Sequence, residues 1–191
     1  MPAAPFAKPV TLWDPVVRLT HWSIAVVVLV NAVLTEGGSS LHVWAGWIGL
    51  GVLALRLIWG LVGPAEARFS AFPPSPGAAL SHLGDLVAGR PREYPSHNPA
   101  GALMVYALWA TLAVLTVTGL LMTGGKTPMQ MDEIRSAVAE GDWSVLVEDE
   151  AGEAGAAAED DGEEAGEAEG EEEGEFLEEI HEVAGNLILL L

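Results

Sequence analysis

Long apolar stretches broken by polar hinges dominate the chain. Four runs stand out, over residues 17–34, 41–62, 100–122 and 176–191. A helix crossing the hydrocarbon core needs about 20 mostly apolar residues. The second and third runs meet that length and the first nearly does. The fourth, counted from Val183, offers only about half a span. The pattern therefore predicts an all-α protein, an integral membrane four-helix bundle whose fourth helix is truncated where the sequence stops. The segment boundaries that follow are a 1–16 N-terminal segment, helices one to three over 17–123 with a 64–99 loop, a 124–175 acidic loop and a 176–191 start of helix four.

The two long connections differ in kind. Residues 64–99 hold PPSP and further prolines around GRPREYPSHNP. Between them, Leu80, Leu83, Leu86 and Val87 recur at helical spacing in GAALSHLGDLVAG, which predicts a short helix on the membrane surface. Residues 148–175 are almost only Glu, Asp, Gly and Ala. Such a stretch repels itself and has little to bury, so disorder is expected there.

Charge changes the picture in one respect. Asp and Glu number 27 against eight Lys and Arg, giving a formal net charge of −19. That excess sits mainly between Asp132 and Glu175 and says little about the apolar part. Lys8 lies before the first run and Arg18 at its start, and Arg56, Arg68, Arg90 and Arg92 lie late in the second run or after it. The connection from Thr35 to Ser40 has neither Lys nor Arg. The positive-inside rule then predicts a multi-pass protein of the bacterial inner membrane with a cytoplasmic N-terminus and an outward-facing acidic loop. The first run lacks the small-residue cleavage site of a signal peptide and is read as a retained helix. With no cysteine, disulfides, iron–sulfur clusters and c-type haem attachment are excluded.

Three histidines flank the apolar runs: His21 in RLTHW, His42 in SLHVWAGW and His181 in EEIHEVAGN. An imidazole in a membrane helix is costly and calls for a reason. By the predicted topology, His42 and His181 lie at the same depth near the outer face, and His21 near the inner face. Facing imidazoles in a helical bundle can hold a haem iron from both sides, a closed coordination suited to moving electrons. Gly46, Gly49 and Gly51 would let backbone approach a porphyrin closely, or serve helix packing. Arg56, 14 residues after His42 and about 21 Å farther along the helix, is a candidate partner for the propionates of an inner haem, for a quinone or for a lipid headgroup. Glu182 and Asn186 are candidates for orienting His181. The bland alternative for the histidines is an aromatic belt with Trp22 and Trp44, and His82 and His97 are expected at the surface.

WDPVVRLTHW, LHVWAGWIGLGVLALRLIWGLVGP, HNPAGALMVYALW and EEIHEVAGNLILLL, in that order, resemble the prokaryotic cytochrome b561 family, which includes the b-type cytochrome subunits of membrane-bound nickel–iron hydrogenases. The resemblance covers nearly all of the chain outside the acidic insert. It implies two b haems in a four-helix bundle, with His21, His42 and His181 as three of four axial ligands. The family's fourth ligand is a later histidine on the fourth helix, beyond Leu191, so one haem is expected to be well held by this sequence. The long acidic insert departs from the family's usual loop and suits electrostatic steering of a basic c-type cytochrome.

The expected function is electron transport in a respiratory chain through bis-histidine haem, between the quinone pool and a soluble or membrane redox partner. Hydrogenase subunits are one candidate partner. Membrane lipid is the surrounding medium, and nothing points to nucleic acid. Two alternatives stay open: a quinone oxidoreductase acting on a small reductant such as superoxide, and a haem-free membrane scaffold or metal sensor.

Overall fold

The computed structural model describes residues 14–90, 92–94, 97–146 and 163–191, with side chains in the last stretch from residue 172 onward. Its described residues contain helices, turns and bends but no strand. Helix α1, Pro15–Leu29, continues as a π-turn over Val30–Leu34. Helices α2, Ser40–Val62, and α4, Pro99–Met122, flank a shorter α3, Pro76–Val87. Helix α5 spans Pro128–Ala139, and α6 spans Glu163–Leu190. Pro15–Leu34, Ser40–Val62 and Pro99–Met122 are long and apolar enough to cross a membrane.

Local chemistry fixes the helix ends. The Asp14 carboxylate accepts hydrogen bonds from the backbone N–H groups of Val16 and Val17, at 2.8 and 3.0 Å, which satisfies two of the first-turn donors of α1. Pro15 occupies a position where its missing N–H costs nothing. Helix α4 starts the same way, with Pro99 in its first turn and the Asn98 side chain accepting from Gly101 N–H at 2.8 Å. It stops at Gly124 and Gly125, whose φ values of 57° and 72° favour glycine, while Gly125 N–H closes onto Leu120 C=O at 2.8 Å.

The fold forms two compact units. One comprises the described residues within 1–25 and 52–109, the other those within 26–51 and 110–191. In the first, Leu53, Ala67, Phe72, Ala79 and Ala102 are buried. Gly60 is required there: a Cβ would overlap the Phe69 ring. Phe69 and Phe72 pack with Tyr106 and Trp109, the Phe69–Trp109 rings meeting edge-on at 5.1 Å. In the second unit, Val43, Ala45 and Ala184 are buried. Outward-facing apolar residues are abundant on the three long helices, among them Leu29, Val33, Ile48, Ile58, Leu61, Val117 and Leu121. Such continuous apolar exposure is costly in water and suits a hydrocarbon surrounding.

Three sequence expectations change. The 124–175 region contains α5, held by a capping box in which the Thr127 side chain accepts from Gln130 N–H and the Gln130 side chain accepts from Thr127 N–H. The last helix begins at Glu163 and not near Phe176. Glu and Ala are strong helix formers, and acidic residues near a helix N-terminus interact favourably with its dipole, so low hydrophobicity did not preclude a helix there. The expectation of disorder for residues 148–162 lies outside the described residues. His82, expected at the surface, is 5% exposed and meets the Tyr94 ring edge-on at 5.2 Å. It falls on the face of α3 that carries buried Ala79, while Leu80, Leu83, Leu86 and Val87 are exposed.

Candidate haem ligands and the Arg56 cluster

The second unit brings His42 of α2 and His181 of α6 together. Their ring centroids are 6.0 Å apart and their planes are inclined by 61°. A metal–imidazole bond of about 2 Å, plus about 1.2 Å from ring nitrogen to ring centre, would place two imidazoles sharing one metal with centroids up to about 6.4 Å apart. The separation therefore fits a single bis-imidazole iron. Both rings are half-buried.

Each ring is held through Nδ1. The Thr35 hydroxyl lies 3.2 Å from His42 Nδ1, and the Thr118 hydroxyl lies 2.8 Å from His181 Nδ1. Gly119 follows Thr118 and leaves room for the imidazole, since a Cβ there would stand 3.3 Å from His181 Cε1. Gly46, one turn beyond His42, borders open space. Gly51 also borders open space, but Gly49 does not: a Cβ there would be 3.1 Å from Val27, so its smallness serves helix packing. Glu182 and Asn186 are exposed, and the hydroxyl meeting His181 Nδ1 belongs to Thr118.

Helix α5 is tied to the start of α2 in the same unit. Asp132 accepts from Trp44 Nε1 at 3.1 Å, and Arg135 donates to Ser40 Oγ at 2.7 Å and to Gly38 C=O. Hydrogen bonds from Ser40 and then Trp44, with Arg135 nearby, hold the Asp132 carboxyl below the usual carboxylate range.

In the first unit, Arg56 is buried, 6% exposed, with its guanidinium carbon 4.8 Å from the centre of the Trp109 ring. It has not snorkelled to the surface. Its NH1 is buried without a hydrogen-bond partner, which marks a cation with unused donor capacity. Asp14 is tied to the same helix, accepting from Trp59 Nε1 at 3.1 Å. His97 packs against Phe72, with ring centroids 4.6 Å apart and planes inclined by 42°. Burial first, then the Arg56 charge, push the His97 imidazole below its ordinary range. His21 is exposed and meets its neighbour Trp22 edge-on at 5.6 Å. Among the described residues, no group of three or more His, Cys, Asp and Glu side chains could hold a bare metal ion.

Thr35 and Thr118 were not singled out by sequence. Threonine is common in membrane helices, where its hydroxyl bonds back to the preceding turn, so neither position carries a distinguishing signal. Asp14 was legible only as part of the WDP motif.

A family profile described as prokaryotic cytochrome b561 matches residues 12–191. No curated protein and no solved structure matches the chain. The match spans every helix described above, from the Asp14 cap through the α6 histidine. The chain belongs to the prokaryotic cytochrome b561 family of membrane b-type cytochromes, which transfer electrons.

Proposed function

We propose that His42 and His181 are the axial ligands of one haem b, and that the protein carries electrons between the quinone pool and a soluble or membrane redox partner. The observation that carries this reading is the 6.0 Å separation of the two imidazole centroids. When bound between two imidazoles, haem b supplies a one-electron couple with no open coordination position. The chain's own contribution is to bring the two rings together from helices distant in sequence, to aim them, and to leave an open turn beside Gly46. The exposed apolar helices supply the surrounding lipid contact.

His21 and Arg56 belong to a second haem in this reading, with Arg56 meeting a propionate or a quinone oxygen. Its support is the orphaned guanidinium nitrogen. The basic residues at the start of α1 and after α2 support a cytoplasmic N-terminus in the inner membrane, with His42 and His181 toward the outside. The acidic stretch that runs into the start of α6 suits a basic electron carrier such as a c-type cytochrome. An outward-facing acidic loop would repel superoxide, which counts against the alternative of superoxide oxidation.

The test is a reduced-minus-oxidised spectrum of the detergent-purified chain with pyridine haemochrome stoichiometry. His42→Ala and His181→Ala should each abolish the same b-type band, and His21→Ala should leave that band in place. A wild-type protein without a low-spin b-type band, or a band surviving both outer substitutions, overturns the proposal.

A further inference from the structure

We propose that Thr35 and Thr118 are positioning residues that lock His42 and His181 in the tautomer carrying its proton on Nδ1, so that both Nε2 lone pairs are presented to the iron. The inference rests on the reading of these histidines as haem ligands and adds what prepares them for that role.

The direction of each hydrogen-bond chain is forced. Thr118 Oγ1 lies 2.8 Å from Val114 C=O, 3.3 Å from Leu115 C=O and 2.8 Å from His181 Nδ1. A hydroxyl has one proton, and a backbone carbonyl can only accept. The Thr118 proton therefore goes to the carbonyl, and the oxygen accepts from the ring. The opposite arrangement, with the hydroxyl donating to Nδ1, leaves two oxygens 2.8 Å apart with no proton between them. Thr35 repeats the logic from a different element. Its Oγ1 donates to Asn31 C=O at 3.0 Å and accepts from His42 Nδ1 at 3.2 Å. In both chains the proton sits on Nδ1, and Nε2 is left as the basic nitrogen.

The local folds that supply the two hydroxyls are unrelated. Thr118 is buried, 5% exposed, inside α4, and the next residue, Gly119, makes room for the ring it holds. Thr35 follows the π-turn over Val30–Leu34 and leaves the helix with φ −119° and ψ 149°. A π-turn shifts side-chain phase relative to a regular helix, and such turns concentrate at functional sites. The π-turn thus gives a reason for the irregular end of α1: it presents a hydroxyl to His42.

A hydrogen-bond acceptor at Nδ1–H makes an imidazole more basic and fixes its rotation. A more basic ligand stabilises the oxidised iron, so the pair should lower the reduction potential of the haem between His42 and His181. The experiment uses the full detergent-purified chain carrying Thr118→Val, Thr35→Val, Thr118→Ser or Thr116→Val. Thr116 bonds back to Leu112 and Ala113 at 2.8 and 3.0 Å, as Thr118 does to its own turn, and is the control for helix effects. The readouts are haem retention, midpoint potential and the g-values of the oxidised low-spin haem. Both valine variants should retain the b-type band, hold haem about tenfold less tightly, raise the midpoint potential and shift the largest g-value. Thr118→Ser should restore wild-type values, and Thr116→Val should keep them.

Unchanged potential and g-values in both valine variants overturn the inference while leaving the ligand assignment standing, provided His42→Ala still loses the band. An equal shift in Thr116→Val also overturns it. Absence of a bis-imidazole signal in the wild type overturns the ligand assignment itself.

Discussion

The His42–His181 pair, in one unit, and the Arg56 cluster, in the other, treat their own polar groups in opposite ways. In the first, each imidazole has a hydroxyl on Nδ1, each hydroxyl has a carbonyl, and the two ring centroids lie 6.0 Å apart. In the second, a guanidinium lies buried over an indole with one nitrogen unpartnered, and the candidate ligand His21 is exposed. A satisfied network rigidifies a site, whereas an orphaned buried donor is costly until something fills it. The contrast teaches that the first site is organised by protein groups alone, and that the second retains an unmet demand for an acceptor.

The comparison can be broken most forcefully at Gly60. Gly60→Val places a branched side chain where the Phe69 ring lies, and it should destabilise the Arg56 unit by about 1–3 kcal/mol. The check is a fall in thermal midpoint with the His42–His181 spectrum retained in the surviving folded fraction. Loss of that spectrum in direct proportion to every other signal would show that the two units do not respond separately.

Arg56→Leu sharpens the contrast from the ligand side. If the guanidinium serves a propionate or a quinone oxygen, its loss should weaken that binding roughly tenfold, as expected for one charged hydrogen bond. Titration with a quinone, and the stoichiometry of any second haem, are the measurements. The His42–His181 band should not move. Should neither binding change, Arg56 is a structural cation stacked on Trp109 and the demand attributed to it is not real.

Asp14→Ala removes the α1 cap and the Trp59 partner together. A lost cap costs about 1–2 kcal/mol, read as a lower thermal midpoint, with a fluorescence change from Trp59. Asp14→Asn keeps an oxygen acceptor and should recover most of the difference.

The smallest effect expected is at His97. Its depressed pKa means that the folded state resists a proton that the unfolded chain accepts. Its contribution is therefore intact above the ordinary histidine range and is lost as pH falls through that range and toward the lowered folded value. A modest decline in thermal midpoint between pH 7 and pH 5 should be flatter in His97→Gln. An identical slope in both proteins would remove His97 from the account of the Arg56 unit.

Much of this architecture was legible in the amino-acid order because hydrophobic length and helix punctuation are local properties. The apolar runs, the helical spacing of Leu80, Leu83, Leu86 and Val87, and the candidate imidazoles can each be read within a few turns of chain. Helix α5 rests on a local signal, the Thr127–Gln130 capping box, within a region whose acidic charge says little about helicity. His82 was misplaced because burial on α3 depends on which face meets the rest of its unit, and a loop histidine gives no sign of that.

The sequence by itself determined the membrane-suited helices, the absence of thiol chemistry and the family. Only the tertiary structure decided that imidazoles 139 residues apart stand within one metal's reach, that Thr35 and Thr118 back them, and that Arg56 is buried with a donor to spare. The physical reason is one of range. Helix formation answers to neighbours three and four residues away, whereas a ligand pair, its tautomer and an unmet hydrogen bond are set by distances between segments that no local periodicity encodes.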